Sequence, residues 1–186
     1  MSAVAVTAPD LDAYRADVER FLEESEGIAD VRFAGLFSAD AVRGLEQVAD
    51  AGAPRRMRAL ARFAAEGHIR RASVEESDEI EQIIRMPLVG GGDGAVPLLE
   101  VDALLADESD RERRRELQRA RLRAIDAHLT RPIGDARLRR SEAARALGAE
   151  SPAALLARVA ALPLAVVSAD GARVLDDTDD EAARAM

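Results

Sequence analysis

The sequence predicts a mostly α protein, a helical array of about seven helices with one short β-hairpin near residues 84–101. Three observations carry this. Apolar residues recur at helical spacing through most of the 186 residues. Helix-start signatures, a Ser followed three residues later by Glu, stand before two of those stretches. Aromatic residues make up only 3% of the chain and Trp is absent, so the core must be built from Ala, Leu, Val and Ile, which suit closely spaced helices. A hydrophobic content of 48% is enough for one sizeable core or for two small helical lobes. The default division is a flexible start over 1–9, a helical domain with a hairpin insertion over 10–162, and an acidic, incomplete C-terminal helix over 163–186.

Taken in order, Leu11, Tyr14, Val18, Phe21 and Leu22 mark a first helix that runs from Asp10 to Gly27. A short stretch through Ile28, Val31, Phe33 and Phe37 leads to Ser38, placed to cap a second helix carrying Val42, Leu45 and Val48. Gly52 and Pro54 close it. Met57, Leu60, Ala61, Ala64 and His68 form one stripe of a third helix, and Ser73 with Glu76 reads as a capping box for a fourth that ends near Ile84.

The texture then changes. Ile84 to Val89 and Val96 to Val101 read as two short strands around the run Gly90, Gly91, Gly92, Asp93, Gly94. A second capping box, Ser109 with Glu112, opens a long helix through Leu117, Leu122, Ile125 and Leu129, which Pro132 interrupts or kinks. The next helix reaches Leu147, with Gly148 suited to follow its end. Ser151-Pro152 then supplies a cap and a first-turn proline for a helix burying Leu155, Leu156, Val159 and Leu162. From Val166 to Gly171 the local chemistry favours a turn, the first arm of a second hairpin, over a weak helix through Ala165 to Ala185. Beyond it the acids from Asp176 to Glu181 leave almost nothing apolar.

The chemistry these residues offer is thin. With no Cys there are no disulfides, thiolate metal sites or Cys nucleophiles, and a reducing compartment, the cytoplasm, is the expected location. No segment approaches the length of a membrane-spanning helix and the first residues lack the basic region of a signal peptide, so no membrane association is expected. The histidines are His68 and His128; neither has a second ligand at helical spacing, no His-Glu-x-x-His occurs, and both read as packing residues. The glycine run lacks the Gly-Lys-Ser/Thr ending of a phosphate loop and has Ala95 where a dinucleotide fingerprint needs its third glycine, so it reads as a hairpin tip.

Charge is uneven. The chain is −9 overall, yet 12 Arg face only 5 acids between Arg111 and Arg145. That asymmetry suits a phosphate-binding face, but no aromatic residue interleaves for base stacking and the Arg residues fall on several helix faces. Internal compensation is the expectation, with Arg113, Arg114, Arg115 and Arg119 paired to the acids near Glu23 to Glu26 and Glu75 to Glu81, and no nucleic-acid partner. No Ser lies in a Gly-x-Ser-x-Gly setting, and the carboxylates read as solvated helix faces.

One stretch carries a resemblance. Leu104-Leu105-Ala106-Asp107-Glu108-Ser109-Asp110-Arg111-Glu112-Arg113-Arg114-Arg115, following a hairpin, resembles the N-terminal region of zinc metallopeptidases of the thimet oligopeptidase and oligoendopeptidase F type, where a "Leu-Ala-Asn-Glu-x-Asp-Arg-x-x-Arg" segment begins a helix. Ile28 to Phe37, Ala64-Ala65-Glu66-Gly67-His68 and Ala143-Ala144-Arg145-Ala146-Leu147-Gly148 leading to Ser151 agree. The likeness covers about Asp10 to Leu162 and implies that the tail begins another helix. It implies a noncatalytic helical lobe, a fragment or truncated homologue, walling a channel that admits short peptides. That family holds zinc by His-Glu-x-x-His and a downstream Glu, which this sequence lacks. No catalytic, cofactor-binding or metal residue carries over; zinc is expected only in a missing catalytic domain, and the partners are a peptide substrate or that domain. The alternative is a free-standing helical interaction module without enzymatic activity.

Overall fold

The computed structural model describes residues 10–51, 55–90, 94–163, 166, 168–174 and 178. It is mostly α with one short hairpin. In chain order the elements are α1 (Leu11–Glu24), a 3-10 segment (Val31–Phe37), α2 (Ala39–Asp50), α3 (Arg55–Arg71), α4 (Val74–Arg85), β1 (Pro87–Val89) and β2 (Val96–Pro97). A short 3-10 turn (Leu98–Glu100) then leads to α5 (Val101–Asp107), α6 (Arg111–Ala124), a π-turn (Ile125–Leu129), α7 (Thr130–Ala146) and α8 (Pro152–Ala160). The expected flexible start over 1–9 and the helix stop at Gly52 and Pro54 lie outside the described residues, as does much of 163–186. Residues 168–174 are helical, Gly171 included, where local turn chemistry favours a hairpin. The chain forms two compact units: Met1–Ile69 with Ala143–Met186, and Arg70–Glu142.

The first unit has an aromatic centre. Asp10 caps α1 by accepting the backbone N–H groups of Asp12 and Ala13 at 3.1 and 3.2 Å. Tyr14 and Phe21 are buried, but Leu22 is 71% exposed. Adjacent residues on a helix point about 100° apart, so with Phe21 turned inward Leu22 faces water. The 3-10 segment delivers Phe33, Leu36 and Phe37 to the same core. Phe21 packs edge-on against Phe33, Phe37 and Phe63 at centroid distances of 5.5, 5.2 and 5.9 Å, contacts worth roughly 0.5–1.5 kcal/mol each beyond burial. The phenol of Tyr14 donates to the Leu36 carbonyl at 2.9 Å, and burial pushes its pKa up.

Glycine matters at two places here. The Phe37 ring lies directly on Gly67, where an added Cβ would sit 2.0 Å from Phe37 Cδ1. Gly148 holds φ at +75° after α7, and the Ala149 N–H returns to the Ala144 carbonyl at 3.0 Å, the closing bond of a left-handed helix stop. Ser151 then caps α8 through the Ala154 N–H at 3.1 Å, with Pro152 in its first turn. Leu155 and Val159 are buried, whereas Leu162, expected on that face, is 53% exposed because α8 stops at Ala160 and Ala161 turns left-handed at φ 53°. Arg158 ties α8 to α2, donating to Glu46 at 2.6 Å and to the Leu147 carbonyl at 2.9 Å.

The second unit is smaller and wholly aliphatic. Its core is Val89, Leu98, Val101, Ala124 and Leu129, with Ile80, Ile83 and Ile84 of α4 packed against them half-buried. The strands are shorter than the sequence suggests. Ile84 remains in α4, and Leu98 to Val101 turn into helix instead of extending β2. β1 and β2 pair antiparallel, with Pro87 opposite Pro97 and Val89 opposite Val96. Two prolines lacking N–H groups face each other, so the ladder cannot propagate outward from that pair.

Pro132 neither breaks nor ends the long helix. The π-turn immediately before it takes the Thr130 N–H to the Ile125 carbonyl, one residue farther than an α-helical bond, so the backbone is re-registered just ahead of the missing proline donor. Ser73 occupies the N-cap position of α4 but makes no capping bond. Its fully buried hydroxyl instead accepts Nε of Arg140 at 2.7 Å, while the same guanidinium donates to Ser77 Oγ at 3.3 Å.

Candidate functional site

The most specific stretch of the sequence, Leu104 to Arg115, is a helix-to-helix junction. α5 ends at Asp107 and α6 starts at Arg111. Its cap is Asp110 and not Ser109, because the Asp110 carboxylate accepts the backbone N–H groups of Glu112 at 2.7 Å and Arg113 at 3.0 Å. Those two N–H groups, Arg113's first, hold the Asp110 carboxyl below its ordinary range. Glu108 closes the other side: its carboxylate accepts the Asp110 N–H at 2.9 Å and lies 3.6 Å from the Arg113 guanidinium, while its carbonyl accepts Nε of Arg114 at 2.9 Å. Glu, Asp and the two Arg residues of the motif therefore fix the turn between two helices.

Expected ion pairs across the Arg-rich segment are rearranged. Arg113 pairs with Glu108 in its own turn, Arg121 with Asp102 at 2.9 Å, and Arg139, not an Arg of α6, takes Glu76 at 3.4 Å. The reason is reach: α5 and α4 present their acids to α6 and α7 respectively, an arrangement invisible in linear charge. Arg115, Arg119 and Arg123 form no ion pair among the described residues.

His68 is half-buried on α3, and its Nδ1 lies 2.9 Å from the Phe37 carbonyl, to which it donates. His128 is exposed in the π-turn. Among the described residues no group of three or more His, Asp or Glu could hold a metal ion. Gly90 takes φ +104° with the Gly94 carbonyl 3.2 Å from where a Cβ would stand, a hairpin position and not the opening of a helix. No described helix is long and apolar enough to cross a membrane.

One hollow missed by the sequence reading lies within the second unit. It measures about 770 Å³ and is formed by α5, α6 and the start of the hairpin turn at Gly90. Leu104, Leu117 and Ala120 supply its apolar surface; Asp107, Glu108, Arg113 and Glu116, then Arg119 and Arg123, supply charge. A smaller hollow of about 240 Å³ shares Gly90, Ala120 and Arg123 and continues to His128, so the two form one groove along α6. Its residues come from three separate elements, which is why no linear motif announces it. No protein-family model, curated protein or solved structure matches the chain.

Proposed function

We propose that this chain is a noncatalytic helical lobe of an oligopeptidase-type zinc metallopeptidase, forming one wall of a channel that admits short peptides. The observation that carries the reading is the α5–α6 junction. The motif resembling that family falls on a turn where Glu108, Asp110, Arg113 and Arg114 each have a defined bonding role, which is what a lobe-building signature requires. The chain supplies a wall and no zinc ligand; the metal and the activated water belong to a separate catalytic part.

The test is to isolate the protein from its own cells with an antibody to this chain. The expected material is heavier than the 19.9 kDa of these 186 residues, carries stoichiometric zinc, and cleaves a quenched fluorescent peptide while sparing a folded protein. A 19.9 kDa species without zinc or chelator-sensitive cleavage overturns the reading. The free-standing interaction module would then take its place, favoured by Leu22 and Val31, which stand 71% and 80% exposed on the first unit.

A further inference from the structure

The groove along α6 is apolar in the middle and oppositely charged toward its two ends. Asp107, Glu108 and Glu116 lie nearer the α5–α6 junction, where Arg113 is paired with Glu108, and Arg119 and Arg123 nearer the π-turn, with Leu104, Leu117 and Ala120 among them. Asp107, Glu116, Arg119 and Arg123 form no ion pair among the described residues, although Arg113 and Arg121 on the same helix do. We propose that this groove docks an extended peptide segment carrying a cation, an apolar side chain and an anion in that order. The ammonium or guanidinium of such a segment meets Asp107 and Glu116, the apolar side chain covers Leu104 and Leu117, and the carboxylate meets Arg119 and Arg123.

Spacing sets the register. Glu116 and Arg123 are seven residues apart on α6, about 10 Å at the rise of an α-helix. Side chains of an extended chain face the same side only at every second position, and four residues span about 13 Å, so the cation, the apolar residue and the anion stand at alternate positions, the long Lys and Glu side chains taking up the difference. A phosphate-rich ligand fits less well: Asp107 and Glu116 repel it, and the unit from Arg70 to Glu142 contains no Phe, Tyr or Trp on which a base could stack. The inference is independent of the peptidase reading, since it concerns one groove of one unit and needs no catalytic part.

The experiment is calorimetric titration of the 186-residue chain with the end-blocked heptapeptide Ala-Lys-Ala-Leu-Ala-Glu-Ala. Saturable one-to-one binding is expected. Replacing the peptide's Glu with Lys should weaken it about tenfold, since like charges then meet at Arg119 and Arg123 in either chain direction. Arg123→Glu should weaken the original peptide by a similar factor and bind the Glu→Lys peptide better than the unaltered chain does, while Arg137→Glu, outside the groove, changes nothing. The wild-type comparison of the two peptides stands even if a variant misfolds. Absence of saturable binding, or equal affinity for the original and the Glu→Lys peptide, overturns the proposal. So does salt-sensitive binding of a single-stranded oligonucleotide that competes with the peptide and is lost in Arg123→Glu, which reassigns the groove to phosphate.

Discussion

The two units solve the same problem with different materials. All five aromatic residues of the chain, Tyr14, Phe21, Phe33, Phe37 and Phe63, belong to the first unit, where they join Val42, Leu45, Leu155 and Val159 in one continuous core. The second unit has no aromatic residue and a buried core of Val, Leu and Ala. It compensates with directed contacts: Arg140 on two serines, Arg121 on Asp102, and the capped junction at Asp110. Burial is nondirectional and scales with area, whereas charged hydrogen bonds contribute only when their geometry is kept. The first unit should therefore resist surface change and fail on core change; the second should show the reverse.

The largest effect expected from that contrast is at the contact between α3 and the 3-10 segment. Phe37→Ala removes a ring that meets Phe21, Phe63 and Gly67 and should cost about 3–5 kcal/mol, as buried Phe truncations do. Gly67→Ala attacks the same contact from the other side. Its methyl would stand 2.0 Å from Phe37 Cδ1, and overpacking of this kind costs about 1–3 kcal/mol. Tyr14 is the one tyrosine in a chain without Trp, so its fluorescence in urea reports this unit alone. A midpoint unmoved by either substitution would show that the aromatic cluster is not what holds the first unit.

The second unit should break at a polar contact instead. Arg140→Met keeps much of the apolar stem but removes both donors from Ser73 and Ser77. The buried Ser73 hydroxyl then retains only its long 3.4 Å bond to the Arg70 carbonyl. Loss of a hydrogen bond from a charged donor costs about 1.5–3 kcal/mol. Amide exchange over α4 and the adjoining part of α7 is the readout, since no aromatic reporter exists there. Exchange unchanged in α4 would remove Arg140 from the account of this unit's stability.

These polar contacts are also where the sequence is least readable. Ser38, Ser151-Pro152 and Gly148 do what their local context predicts, because a helix start or stop is decided by neighbours within four residues. Ser73 looks like the same kind of cap, but a guanidinium 67 positions away claims its hydroxyl. Leu22 matches the apolar spacing of α1 as well as Phe21 does, and only the packed ring partners decide which faces inward. The hairpin is visible as glycines between β-branched residues, yet its strands are cut short by the ends of α4 and the turn at Leu98. The groove is illegible for the same reason as the ion pairs: it requires α5, α6 and Gly90 to be side by side.

The smallest effect belongs to Asp110, and it separates capping from charge. Asp110→Ala leaves the N–H groups of Glu112 and Arg113 to water and should speed exchange at the first turn of α6 by roughly two- to fivefold, whereas Asn, an equally good cap, should leave it nearly unchanged. The pH dependence has a definite sign. The folded-state pKa of Asp110 is lowered, first by the Arg113 N–H and then by that of Glu112, so its contribution is present above the unfolded carboxyl value of about 3.9 and fades as pH falls through the lower folded value. The difference between wild type and Asp110→Ala should thus shrink on acidification below about pH 4, and the difference between Asp110→Asn and Asp110→Ala should not. If both differences shrink together, the junction is melting because of a change elsewhere in the second unit, and the cap is a bystander.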